Sequence, residues 1–187
     1  MSDHSEREPL SPAIVYGMVL VFAVVSVLER LYHPVYNLAP VGALCLFAGS
    51  RLRSWQAYLL PMAVMVVSDL GLYWLSGDRP FDPFVYGSYL VTILLGSQLL
   101  RKVSAERVGA LTLGSSLQFY LITNFGCWLG MPGTYERSLT GLADCYVKAA
   151  PFYGPTLAGD VIFSTLFFGV YALAVYARRS PVAEEAA

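Results

Sequence analysis

Four polar side chains lie within or beside apolar stretches of the sequence: Asn37, Asp69, Asn124 and Asp160. Placing an amide or a carboxylate in an apolar environment costs free energy unless it is hydrogen-bonded to a donor or to water, or paired with a cation. Two carboxylates that approach each other can also act as a general acid and a general base. These residue types therefore fit three uses: binding a polar ligand, holding helices together, or acid–base chemistry.

The segments that carry these groups are typical of membrane helices. The chain has 187 residues, of which 56% are hydrophobic and 13% charged. Soluble domains carry about 25% charged residues, so this composition indicates a multi-span membrane protein. We predict an all-α, multi-pass fold with six transmembrane helices, over residues 13–31, 37–50, 55–75, 84–100, 107–128 and 155–177.

The second of these segments is the least regular. A span needs about 20 apolar residues, and residues 37–50 are fewer and include Pro40. The segment therefore either begins earlier or forms a kinked or partly re-entrant helix. The fourth segment is close to the minimum length, and the other four reach it.

One membrane domain is predicted over residues 13–177, with a polar tail at 1–12 and a second tail at 178–187. No small-residue cleavage site follows the first apolar run, so we expect no cleaved signal peptide. Residues 129–154 are rich in Gly, Pro, Tyr and Phe. We predict that they form a long, packed loop that covers the helix ends.

The basic residues orient the predicted helices. If six helices alternate, eight basic residues fall on one side and four on the other, and basic residues favour the cytoplasm. Both termini are therefore predicted to be cytoplasmic. The cytoplasmic set is Arg7, Arg51, Arg53, Arg101, Lys102, Arg107, Arg178 and Arg179, and the outer set is Arg30, Arg79, Arg137 and Lys148.

This topology places the four polar groups in the outer leaflet, where structural roles compete with ligand binding. Asn37 and Asp160 lie near predicted helix starts, where capping and the helix dipole favour them. Asp69 lies near the C-terminal end of its helix and needs a donor, a cation or a proton there. Asn124 fits either role. Gln118 lies about 120° around the helix from Asn124 and is predicted to bond a neighbouring helix.

The sequence lacks the motifs that several kinds of chemistry require. Three cysteines and two histidines are too scattered for a structural zinc site. Cys127 and Cys145 both fall near the predicted outer face, but nothing fixes their separation, so free thiols are favoured over a disulfide. Gly109 and Gly114 have the spacing of a phosphate-binding loop, but Ser115 stands where lysine is required. We expect no enzyme activity, no metal, no cofactor and, at a net charge of −1, no nucleic-acid partner.

Five motifs together resemble a bacterial family of putative membrane transport proteins, the DUF6580 family. They are NLAPVGAL at 37–44, SD at 68–69, NFGCW at 124–128, GLADCYVKAAPF at 141–152 and GD at 159–160. That family is similar to the S components of energy-coupling-factor (ECF) importers. The resemblance implies a six-helix membrane protein that binds a vitamin or related micronutrient near the outer surface. It also implies an energising module of one transmembrane coupling subunit and two ATPases.

From these features we predict a substrate-capture subunit in the bacterial plasma (inner) membrane. Its partners would be a small-molecule substrate, the lipid bilayer and the energising module. A structural scaffold without a ligand is the alternative, and a membrane enzyme that uses Asp69 and Asp160 is a third hypothesis. The predicted substrate-binding residues are Asn37, Asp69, Asn124, Trp128, Tyr135, Tyr146, Phe152 and Asp160.

Overall fold

The computed structural model describes residues 10–32, 37–52, 55–77, 81–130 and 133–178. Within these ranges the chain forms six helices and no strand, which confirms the all-α prediction. Most of both predicted tails, together with Arg7, Arg53, Arg79 and Arg179, lies outside the described residues. The helices are α1 (Pro12–Tyr32), α2 (Val41–Arg51), α3 (Gln56–Ser76), α4 (Pro83–Leu99), α5 (Ala105–Gly130) and α6 (Leu139–Ala177).

Three of the helices, α1, α3 and α6, are long and apolar enough to cross a membrane. They contain 21, 21 and 39 residues. The shortest helix, α2, has 11 residues and is about 16 Å long at 1.5 Å per residue. That length is about half of a hydrocarbon core of about 30 Å. Length and composition therefore support a membrane crossing for three of the six predicted spans.

Contacts at both ends of α1 show that it runs parallel to α3. The Tyr16 hydroxyl donates a hydrogen bond to the Gln56 side chain near the start of both helices. Arg30 pairs with Asp69 towards the end of both helices. Since α1 and α3 point the same way, the chain between them must return, and α2 runs in the opposite direction.

The remaining helices also alternate in direction. Phe84 at the start of α4 packs against Gly126 near the end of α5. The Tyr120 hydroxyl near the end of α5 donates to the Tyr146 carbonyl in the first part of α6, 2.5 Å away. The bundle thus has two ends. We name the end that holds Asn124 and the loops after α1, α3 and α5 the polar end, and the opposite end, where α1 begins and α6 finishes, the terminal end.

The short helix α2 occupies the centre of the bundle. Eight of its eleven residues are buried. A Cβ on Gly49 would lie 2.3 Å from the Ile93 carbonyl oxygen, and a Cβ on Gly96 would lie 2.6 Å from the Leu46 carbonyl oxygen. The backbones of α2 and α4 therefore touch, which is how small residues bring membrane helices together.

The structure corrects the predicted loop at 129–154. Residues from Leu139 onwards belong to α6, so most of the predicted loop is helical. The Ser138 side chain caps this helix by accepting a hydrogen bond from the Gly141 backbone N–H at 3.1 Å. Pro151 and Pro155 suggested irregular chain, because proline removes a helical donor. Both lie inside the helix instead.

Two predicted helix-start positions are also wrong. Asp160 lies in the middle of α6, far from that helix's N-terminus. Asn37 is not the cap of α2, because Pro40 occupies that position and no side chain caps the helix. Asn37 instead adopts a left-handed backbone conformation with φ of 63°. The structural roles first considered for these two residues therefore do not apply.

Candidate functional site

A cleft of about 250 Å³ opens at the polar end, and we name it the polar cleft. Each of the six helices contributes at least one residue to its lining. The polar lining residues are Glu29, Arg30, Asn37, Tyr89, Thr92, Ser115, Thr156 and Asp160, and the others include Leu38, Gly42, Leu72, Val85 and Phe119.

A second cleft of about 310 Å³ adjoins the polar cleft, and we name it the aromatic cleft. The two share Asn37, Val85, Phe119 and Thr156, so they form one continuous space. The further lining residues of the aromatic cleft are Tyr120, Thr123, Asn124, Ala149, Phe152 and Tyr153. The aromatic cleft therefore carries several ring-bearing side chains, and the charged side chains belong to the polar cleft.

Asp160 is the buried carboxylate of the polar cleft, with 7% of its surface exposed. It packs directly on the backbone of α2, because a Cβ on Gly42 would lie 2.2 Å from its Oδ1. The Ser116 hydroxyl faces Asp160 without meeting the geometry of a hydrogen bond. The first turn of α2 presents the positive end of its helix dipole to this carboxylate. Asp160 thus faces the cleft without a hydrogen-bonded partner among the described residues.

Asp69 lies beside the polar cleft and is held by neighbouring groups. Arg30 Nη2 lies 2.5 Å from Asp69 Oδ1, and both side chains are largely buried. The Tyr86 hydroxyl donates to Asp69 Oδ2 at 2.9 Å, and the Phe81 backbone N–H at 3.4 Å. Asp69 therefore has the cation and the donors that its position near the end of α3 requires. It links α1, α3 and α4 and reaches the cleft only through Arg30.

Asn37, Asn124 and Phe152 all line the continuous space. Asn37 lies at the junction of the two clefts, whereas Asn124 and Phe152 belong to the aromatic cleft. The Asn124 Nδ2 donates to the Tyr120 carbonyl of its own helix at 2.8 Å. That bond fixes the amide plane and occupies one of its donors.

Besides Asp69, three further predicted ligand contacts lie outside both clefts. Trp128 Nε1 donates to the Glu136 carbonyl at 2.9 Å, and the Tyr146 hydroxyl donates to the Leu121 carbonyl at 2.8 Å. The Tyr135 ring lies under the Lys148 ammonium, 5.5 Å from its centroid. In this structure these aromatic residues join the end of α5 to the start of α6.

Sequence reasoning missed several lining residues. Tyr89 and Ser115 lie in the polar cleft, but single polar residues on apolar helices carry no spacing signal that separates a cleft from a helix contact.

The sequence predicts that Gln118 bonds a neighbouring helix, and it does accept a hydrogen bond from Thr92 Oγ1 of α4 at 3.3 Å. Cys127 and Cys145 are not joined by a disulfide. No group of three or more His, Cys, Asp or Glu side chains with metal-ligand spacing occurs in the described ranges.

In the part of the chain that the structure describes, the protein is all-helical, has three helices long and apolar enough to cross a membrane, and carries a polar cleft at one end of the bundle. The chain belongs to the DUF6580 family, a family of unknown function, whose model matches residues 9–183. No curated protein and no solved structure matches the chain.

Proposed function

We propose that this protein is the substrate-capture subunit of a membrane importer, similar to the S components of ECF importers. In this proposal the polar and aromatic clefts together bind a small molecule such as a vitamin or related micronutrient. The observation that supports it best is the continuous space at the polar end, with the buried carboxylate of Asp160 facing it. Concave sites with a few converging polar groups and apolar walls are typical of ligand binding.

The proposed topology has six crossings, both termini in the cytoplasm and the clefts open to the outside of the bacterial inner membrane. The alternating helix directions support it, because they put both chain termini at the same end. Arg51, Arg101, Lys102 and Arg178 also lie at that end, as expected for the cytoplasmic side. In this topology α2 crosses together with its flanking residues, shielded from lipid by the other helices.

Transport itself would depend on partners. An energising module of a transmembrane coupling subunit and two ATPases would supply the free energy, and the protein itself would be no enzyme. The surroundings of Asp69 support the absence of enzyme activity, because its carboxylate is already bonded to Arg30 and Tyr86. A general base has to reach a reacting proton in its substrate.

Ligand binding by the isolated subunit is the direct test. Purified protein in lipid nanodiscs would be titrated with a panel of vitamins and their biosynthetic precursors, and binding measured by calorimetry and by the melting temperature. We expect at least one compound to bind and to raise the melting temperature. Asn124→Ala and Asp160→Asn should weaken that binding. If no compound in the panel binds, the proposal is wrong.

A structural scaffold remains the second candidate, and one observation favours it. Asp69, Trp128 and Tyr146 all make contacts between segments of the bundle rather than with a cleft. A scaffold predicts that substitutions at the polar end lower the melting temperature while no compound changes it.

A further inference from the structure

We infer that the polar cleft binds an organic cation, an amine or a protonated nitrogen heterocycle on a small ring, with Asp160 as its counter-ion. The inference rests on the proposed function, since it assigns a ligand chemistry to the same cleft. It makes the unpaired buried carboxylate of Asp160 the recognition group.

The first step is the lack of a partner for Asp160. A buried ionised carboxylate costs several kcal/mol unless it is paired and hydrogen-bonded. Asp69, the other aspartate near the polar cleft, has a guanidinium at 2.5 Å and a tyrosine hydroxyl at 2.9 Å. Asp160 has the N-terminal turn of α2 and the nearby Ser116 hydroxyl, but no cation and no formed hydrogen bond among the described residues. A ligand that donates a hydrogen bond from a positively charged nitrogen would supply both the cation and the hydrogen bond.

The second step is the charge of the cleft. Among the described residues of the lining, Glu29 and Asp160 contribute carboxylates and Arg30 contributes the one cation. That cation already neutralises Asp69 behind the cleft wall. The space between the helices is therefore electronegative, which favours a cation over an anion.

The third step separates an organic cation from a metal ion. Metal ions need several oxygen, nitrogen or sulfur ligands at once, and the described residues form no such group. The lining that Asp160 shares instead offers ring and apolar surface from Tyr89, Phe119 and Val85. The Tyr89 and Phe119 rings lie against each other with centroids 5.0 Å apart. An aromatic face beside a carboxylate is a suitable site for an ammonium or a charged heterocycle.

Three probes that differ in charge and share one ring test this directly. Benzylamine, benzyl alcohol and benzoate would be titrated against the full chain in nanodiscs of zwitterionic lipid, with binding followed by ligand-detected NMR. We expect benzylamine to bind at least about tenfold more tightly than benzyl alcohol, a difference of about 1.4 kcal/mol. Benzoate should not bind. Equal affinities for benzylamine and benzyl alcohol would overturn the inference.

Variants locate the binding group. Asp160→Asn keeps the shape of the side chain and removes its charge, and it should abolish the preference for benzylamine. Asp144→Asn is the matched control, because it removes the same charge from an exposed position of the same helix, where Asp144 pairs with Lys148. Asp160→Glu retains the charge and should retain the preference. If Asp160→Asn does not fold, the affinities of the three probes for the unmodified chain still show whether the cleft prefers a cation.

The outcome separates this inference from the proposed function. An uncharged or anionic nutrient that binds the cleft, with an affinity that Asp160→Asn leaves unchanged, would refute the cation and leave the capture function in place. If neither the nutrients nor the three probes bind, both proposals fail.

Discussion

At the scale of single residues, the two aspartates near the polar cleft have opposite surroundings. Asp69 is bonded to Arg30 and Tyr86 of two other helices, so its charge holds the bundle together. Asp160 is equally buried but packs against the glycine backbone of α2, and its carboxylate faces open space. The residue type is the same, and only the neighbours separate a structural role from a binding role.

The Arg30–Asp69 pair leads to a prediction about stability. Asp69→Ala would remove the Asp69 carboxylate from the largely buried Arg30 guanidinium, and we expect the free energy of unfolding to fall by about 3–5 kcal/mol. The double variant Arg30→Met/Asp69→Leu should recover most of that loss, because it removes both charges. Unfolding in detergent, followed by tryptophan fluorescence, measures both changes.

The control for this pair is the exposed ion pair of Asp144 and Lys148. Exposed i,i+4 pairs contribute little to stability, so Asp144→Ala should leave the unfolding free energy nearly unchanged. If Asp69→Ala costs as little as Asp144→Ala, the Arg30–Asp69 pair does not stabilise the bundle as we expect.

A second prediction at the same scale concerns Gly42. A Cβ at this position would lie 2.2 Å from Asp160 Oδ1, so Gly42→Ala must displace the carboxylate or the helix. Overpacking of this kind costs about 1–3 kcal/mol, and we expect that loss together with weaker binding of any cleft ligand. Gly114→Ala is the control, because nothing lies within 4 Å of its Cβ. Equal behaviour of the two variants in melting and binding experiments would contradict the packing of Asp160 on α2.

At the scale of elements, the apolar runs were sufficient to predict four helices. The bounds of α1, α3, α4 and α5 agree with the predicted segments to within two residues at each end. The start of α6 was missed because Pro151, Pro155 and several polar residues break its apolar pattern, while packing against α5 keeps the segment helical. Cleft residues such as Tyr89 were missed because helix rotation, which decides what faces the cleft, is set by packing between helices.

The crossing of α2 and α4 leads to the third prediction. Alanine at Gly49 or Gly96 would bring a Cβ to 2.3 Å or 2.6 Å from a backbone carbonyl oxygen of the facing helix. A backbone atom cannot rotate away as a side chain can, so each substitution should destabilise the protein by at least about 1–3 kcal/mol.

Gly109→Ala on α5 serves as the matched helix control, since its Cβ would meet nothing within 4 Å. There, the better helix propensity of alanine should leave stability unchanged or raise it by up to about 1 kcal/mol. Melting temperatures in detergent compare the three variants. A close contact between α2 and α4 is excluded if Gly49→Ala and Gly96→Ala melt like Gly109→Ala.

At the scale of the whole molecule, the apolar surface is arranged as a bilayer requires. Large apolar side chains are exposed on the outside of α1, α3 and α6, among them Leu20, Val24, Trp74, Ile162 and Leu173. Soluble monomers rarely expose contiguous apolar surface of this extent. The central helix α2 is instead surrounded by protein, so its short length does not have to match the thickness of the membrane.

The proposed topology gives the last prediction. Single cysteines would replace Thr134 at the polar end, and Lys102 and Trp55 at the terminal end, all of which are exposed. A membrane-impermeant maleimide should label Thr134→Cys in intact bacterial cells, and Lys102→Cys and Trp55→Cys only after the cells are permeabilised. Trp55 follows α2, so it reports whether the chain crosses the membrane there. Each variant is built on a cysteine-free background with alanine at Cys45, Cys127 and Cys145. This background alone should stay unlabelled.

Each failure of the labelling experiment has its own meaning. Labelling of Trp55→Cys but not Lys102→Cys in intact cells would place the two residues on opposite sides of the membrane, so α3 and α4 could not both cross it. Labelling of both, with Thr134→Cys protected, would place residues 55 and 102 outside and the clefts facing the cytoplasm. A capture subunit needs its cleft open to the side from which the nutrient arrives, so that second result would also remove the basis for proposing uptake.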